Sequence, residues 1–133
     1  MANPNIVNVT SIYGNTAYVT PSGTTATTSW TFNGTTALTG LTPAVNTVNR
    51  VTSIVVANTT AAAVAATVAI ADNATYGSGT PRYLAYQISV PANASLIVTD
   101  KTTSFYVTEN QSVGVISATG NALTFVATFE AIT

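Results

Sequence analysis

The sequence predicts an all-β protein, and three observations carry that expectation. Apolar and polar residues alternate with a period of two. In Arg82 to Val90, Leu84, Tyr86, Ile88 and Val90 fall on one face of an extended chain, and Tyr83, Ala85, Gln87 and Ser89 on the other. Pairs suited to tight turns, Gly14-Asn15, Asn33-Gly34 and Gly120-Asn121, recur beside such stretches. No segment has a sustained helical period, and short strands spaced by roughly 8–12 residues are the pattern of a sandwich or barrel. The expected architecture is a single antiparallel β-sandwich, jelly-roll or immunoglobulin-like, with an extended N-terminal arm or hairpin layer.

Taken in order, "NIVNVTSIY" (Asn5 to Tyr13) and "TTATTSWTF" (Thr24 to Phe32) each lead to a turn pair. Residues 1–47 are richer in Thr, Gly and Pro than the rest, and are expected as an arm and peripheral hairpins. "TGLTPAVNTVNR" (Thr39 to Arg50) connects them to the sandwich core, residues 48–133, within one domain overall. The uncharged run Val51 to Ala71 is long enough for a membrane helix, but Asn58 inside "ANTT" reads as a turn between two strands. Alanine favours helix, yet Val64, Ala66, Val68 and Ile70 share a face if Ala61 to Ala71 is extended, so this stretch reads as a strand. It pairs as a hairpin with Arg82 to Val90 across the loop "DNATYGSGTP", which would bring Asp72 and Arg82 face to face. Val90-Pro91-Ala92 makes a corner, because proline fixes φ and cannot donate to a ladder. Ser112 to Ala118 and Ala122 to Ile132 alternate again, and Gly120-Asn121 would join them as a hairpin.

Composition limits the chemistry. The chain has 133 residues, a formal charge of −1 and 5% charged residues, where an ordinary domain has about 25%. Its apolar share is 47% and its mean hydropathy +0.38, so it has the means to fold. A near-neutral Thr- and Ala-rich surface lacks the repulsion that keeps small domains apart, which suits an assembly component covered by partners. With no Cys and no His, there is no thiolate, no zinc–thiolate site and no imidazole base. Three basic residues, Arg50, Arg82 and Lys101, cannot neutralise several phosphates, so no nucleic-acid partner is expected. The opening "MANPNIVNVTSIYG" has neither a basic region nor an apolar run of the kind a signal peptide needs. No membrane partner is expected either.

Three of the seven charged residues, Asp100, Lys101 and Glu109, lie between Val98 and Gly114. Paired carboxylates can hydrolyse glycosides when held roughly 5–10 Å apart. Asp100 and Glu109, however, sit in turn-forming contexts, "DKTT" and "ENQS". Asp72 has too few neighbouring carboxylates for a calcium loop and is expected to bond nearby backbone amides. No catalytic residue, cofactor or metal ligand set is expected. Six N-glycosylation sequons, at Asn8, Asn33, Asn58, Asn73, Asn93 and Asn110, are chance matches in a chain so rich in Asn and Thr. Among the aromatics, Tyr76 and Tyr83 are candidate ligand contacts, while Trp30 and Phe32 read as core or interface.

The opening "MANPNIVNVTSI", followed by a recurring order of elements, resembles small virion structural proteins of tailed phages, particularly myoviruses of cyanobacteria. That order is a strand ending at Asn58, a hairpin, the Val90-Pro91-Ala92 corner and an apolar strand. It continues with the Asp100-Lys101 turn, the "FYV" strand, the Glu109-Asn110 turn and a last hairpin. Residues 21–47 fall outside the likeness. The resemblance implies a non-enzymatic β-sandwich of the virion. Its expected role is a capsid decoration or cement protein, a homotrimer seated on the major capsid protein. A neck, collar or tail component, or a receptor- or glycan-binding tip, is the alternative. Ile6, Val7, Val9, Ile12 and Tyr13 of the arm (Ala2 to Thr20) would add as a strand to a neighbour's sheet edge, with Lys101 and Glu109 fixing register.

Overall fold

The alternation seen in the sequence becomes two antiparallel sheets packed face to face. The computed structural model describes residues 4, 7–32, 34 and 36–133. Ten strands follow in order: β1 (Ile12–Val19), β2 (Ser29–Phe32), β3 (Thr36–Thr39), β4 (Val48–Asn58) and β5 (Val64–Ala71). After them come β6 (Pro81–Val90), β7 (Ser95–Thr99), β8 (Phe105–Val107), β9 (Ser112–Ser117) and β10 (Leu123–Ile132). The larger sheet runs β3-β2-β1-β10-β4-β7, with β8 also pairing β4, and the smaller runs β6-β5-β9. This is the β-sandwich that the sequence predicts.

β4 and β10 form the spine of the larger sheet, paired from Val48↔Ile132 to Asn58↔Leu123. A register shift opposite Thr128/Phe129 leaves Thr52 as an extra residue, and its hydroxyl donates to the Thr128 carbonyl at 3.0 Å. The bulge resets the phase of β4, so Val51 and Ile54 both point into the core. Facing them from the smaller sheet are Val64, Ala66, Val68, Val113 and Val115. Val64, Ala66 and Val68 therefore share the inward face that the extended reading of the Ala-rich stretch required.

The run Val51 to Ala71 is two strands in different sheets, and no helix among the described residues is long and apolar enough to cross a membrane. Asn58 makes the turn between them. Its amide donates to the carbonyls of Ala62 (2.8 Å) and Val90 (3.0 Å), and its side-chain oxygen accepts from the Thr60 amide (2.9 Å) and hydroxyl (2.8 Å).

Residues 1–47, expected as an arm and hairpins, supply β1, β2 and β3 to the larger sheet and Ala17, Val19, Trp30 and Leu41 to the common core. Trp30 is fully buried and donates its indole N–H to the Val113 carbonyl at 3.2 Å. Gly34, at φ +80°, lies in the loop that returns β2 to β3 as a hairpin.

Four expectations need correction. Gly14-Asn15 is no turn: β1 passes straight through it, pairing Gly14 with Glu130 and Asn15 with Phe129. Here the cross-strand partner overrides a local turn preference. Gly120-Asn121 does turn, with Asn121 at φ +57°, but β9 and β10 belong to different sheets, so the turn is a crossing and not a hairpin. The hairpin of β5 and β6 forms as expected, yet Asp72 and Arg82 do not pair across it. The Asp72 carboxylate accepts the Thr80 amide at 2.6 Å, and Arg82 lies opposite Ile70. Finally, β6 is not half-buried in simple alternation: Leu84, Tyr86 and Ile88 are exposed, and only Ala85 and Val90 are buried. Two register shifts against β5, between Ala66 and Val68 and between Val68 and Ala69, break the alternation.

Candidate functional site

Those same irregularities build a groove on the outer face of the smaller sheet. Its floor is made of short side chains, because β5 turns Ala65 and Thr67 outward while Ala66 and Val68 fill the core. Ile116 and Ala118 extend the floor on the β9 side. Thr24, Tyr83, Tyr86 and Gln87 form the walls around an open volume of about 530 Å³.

Tyr83 and Tyr86 are three residues apart, which in a regular strand would put them on opposite faces. The bulges bring them together, with ring centroids 4.6 Å apart and planes at 60°, an edge-to-face contact. Gln87 supplies the extra residue of one bulge. It adopts φ +49°, uncommon for a residue other than glycine, and its backbone N–H donates to the Thr67 hydroxyl at 3.0 Å. The register of the groove wall is thus fixed by a hydroxyl of its floor.

Tyr76 stands beside this pair. It begins a 3-10 turn (Tyr76–Ser78) in the β5–β6 loop. The Asp72–Thr80 bond holds that loop, and two further bonds fix it: Thr75 N–H to the Asn73 side chain at 2.8 Å, and Ser112 hydroxyl to the Asn73 carbonyl at 2.7 Å. The Tyr76 ring lies over Gly114 of β9, where a β-carbon would come within 2.7 Å of it. Glycine in mid-strand is explained by this ring. Burial pushes the Tyr76 phenol above its ordinary pKa, and the nearby Tyr83 phenol adds to the shift. The two tyrosines picked out in the sequence are thus close enough for their phenols to interact electrostatically, but only Tyr83 lines the groove. Tyr86 was missed because ideal alternation assigns it to the opposite face, and no sequence signal marks the bulge.

The charged corner is structural at Asp100. Its carboxylate caps the 3-10 turn Lys101–Thr103, accepting the Thr102 amide at 2.9 Å and hydroxyl at 2.5 Å. These bonds, the hydroxyl first, hold its pKa below the usual carboxylate value. Lys101 is exposed in that turn. Glu109 is half-buried in the next one, with Oε2 buried and unpartnered among the described residues. No group of three or more metal-ligating side chains occurs among the described residues.

Of the expected arm contacts, Ile6 lies outside the described residues. Val7 is exposed, Val9 half-buried, and Ile12 and Tyr13 are exposed within β1. β1 pairs along its length with β10, and Ala17 and Tyr18 also pair with β2, so this strand is already part of its own sheet. Tyr13 borders a shallow depression of about 280 Å³ with Phe32, Leu38 and Phe129, where the two phenylalanine rings lie 5.7 Å apart.

The outer face of the larger sheet carries a second feature. Reading the register across it, Tyr18 lies opposite Val126, Val126 opposite Val55, and Val55 opposite Ile97. These four side chains make an apolar row across β1, β10, β4 and β7. Ile97 is 65% exposed and Tyr18 42%. On either side the row is bordered by Thr16, Thr128 and Ser53 and by Thr124, Ala57 and Ser95. No known protein family, curated protein or solved structure matches this chain.

Proposed function

We propose that this chain is a virion structural protein, a capsid decoration protein that binds copies of itself and the major capsid protein through uncharged β-sheet faces. The observation that carries the reading is the Tyr18–Val126–Val55–Ile97 row. It is a cross-strand apolar stripe, bordered by Thr, Ser and Ala, on a chain with 5% charged residues. At an inter-strand spacing of about 4.8 Å, four strands give a stripe on the order of 15 Å wide. An apolar row that continues across four strands is the kind of surface through which β-sheet faces pack on partners. The likeness in order and spacing of elements to tailed-phage virion proteins supplies the partner.

The mechanism is burial. Each Å² of apolar surface removed from water contributes about 25 cal/mol, and the surplus over the cost of association holds the subunit in place. Little of the recognition comes from charge. The ion pair Arg50–Glu130 spans 3.6 Å on this same face, and both groups are more than a third exposed. Such a pair contributes little after solvent screening.

Two measurements test the proposal. Quantitative mass spectrometry of purified particles should give a copy number comparable to that of the major capsid protein. A handful of copies per particle would overturn decoration in favour of a neck or tail position, and absence from particles would overturn the virion reading altogether. Ile97→Lys or Tyr18→Lys should abolish incorporation while leaving the circular dichroism of the isolated chain unchanged, since both side chains face solvent. Normal incorporation of both variants would rule out the stripe as the contact.

A further inference from the structure

We infer that the groove over β5 is a binding site for a neutral carbohydrate chain, with Tyr83 and Tyr86 as stacking platforms and Gln87 as the hydrogen-bonding group. Tyr83 and Tyr86 are 52% and 56% exposed, so they do not close the core. Yet two bulges and a left-handed Gln87 are maintained, and their combined result is two tyrosine rings and an amide on one face.

The chemistry of the lining selects the ligand. None of the eight lining residues is charged, which disfavours a phosphate, a sulfate or an acidic sugar. The floor is the face of a central strand whose backbone is paired on both sides, with β6 and with β9. As the middle strand of its sheet, β5 offers no edge of its own to an added peptide strand. What the groove does offer is aromatic surface alternating with uncharged polar groups. Among the described residues the Gln87 side-chain amide and the Tyr83 and Tyr86 hydroxyls have no hydrogen-bond partner, and Thr24 adds another hydroxyl. A pyranose presents the complement, an apolar C–H face above a ring and a rim of hydroxyls for amides. The volume, about 530 Å³, lies within the roughly 300–1,000 Å³ of small-ligand clefts.

This inference is independent of the virion proposal, because it concerns the isolated chain and not its place on a particle. Native affinity electrophoresis of the purified protein tests it, in gels containing amylopectin, mixed-linkage β-glucan or galactomannan, with alginate as the acidic comparison. The expected result is retardation in at least one neutral gel, with affinity lowered on the order of tenfold by Tyr83→Ala or Tyr86→Ala. Gln87→Ala should weaken it too, and Tyr106→Ala, an exposed tyrosine of the larger sheet, should leave it unchanged. No retardation in any neutral gel, retardation by alginate alone, or equal retardation of the Tyr83 and Tyr86 variants would overturn the inference. So would a change in solution mass of Tyr83→Ala by light scattering, which would assign the groove to contact between copies.

Discussion

At the scale of single residues, Gly114 and Tyr76 are one unit. The ring occupies the space that a β-carbon at position 114 would need, with contacts of 2.7–2.9 Å. Gly114→Ala therefore has to push Tyr76 off the sheet. The expected loss is about 1–3 kcal/mol, read from urea denaturation, as for other insertions into filled space. The same change should return the Tyr76 phenol toward its ordinary pKa in an alkaline spectrophotometric titration. Because burial raises that pKa in the folded chain, the neutral phenol is the form that the fold favours. Its contribution is complete below the ordinary tyrosine value near 10 and fades as pH rises through the higher folded value. Stability should thus decline in the alkaline range for the native chain, and less so for Gly114→Ala. An identical alkaline profile for the two would separate the shift from the Gly114 contact. Asp100 works in the opposite direction: its lowered pKa means that its capping bonds act fully above about pH 4 and are lost as pH falls through the folded value.

At the scale of elements, Asn58 shows how much one turn residue can hold. It joins the end of β4 to the start of the β5 turn and to the last carbonyl of β6, while only 3% exposed. Asn58→Ala leaves the Ala62 and Val90 carbonyls without this donor. A loss of about 1–3 kcal/mol is expected in thermal or chemical unfolding, since the Val90 carbonyl is the buried one of the two and orphaning such a group costs about that much. A loss under about 1 kcal/mol would mean that water replaces the amide there. Asn58 was legible as a turn from its flanking "NTT", and β5 was legible from Val64, Ala66 and Val68 despite the alanines. β6 was legible as a strand but not as a surface. Its residues alternate perfectly on paper, and the bulges that turn Tyr83 and Tyr86 to one side arise from pairing with Thr67 and Ala69, which lie more than a dozen positions away. For the same reason Gly14-Asn15 misled: a turn pair is a local preference, and Glu130 and Phe129 across the ladder outweigh it. Of the groove's lining, Tyr83 could be named from its place on a strand, whereas Tyr76, named with it, stands over Gly114 instead. Tyr86 and Gln87 needed the register.

At the scale of the whole molecule, few charges are available to set the surface properties. Self-association or capsid binding that rests on uncharged faces should be insensitive to ionic strength. Sedimentation or light scattering in low and in about 1 M salt should give the same oligomer, because screening removes only interactions between charges. Dissociation by salt would shift the weight of recognition to Arg50, Lys101, Glu109 and their partners. The sheet order also bears on the making of the protein. β10 lies between β1 and β4, so Ile12 waits for Ile132 and the middle of the larger sheet is filled last. During synthesis, residues 12–19 and 48–58 leave the ribosome with their edges open and stay so until residues 123–132 follow. Completion of this sheet therefore waits for residues 123–132, slow in the manner of proteins with distant pairings and exposed meanwhile to edge-to-edge aggregation. A nascent chain stalled before Leu123 should be degraded by protease as an unfolded one would be, whatever the length already made.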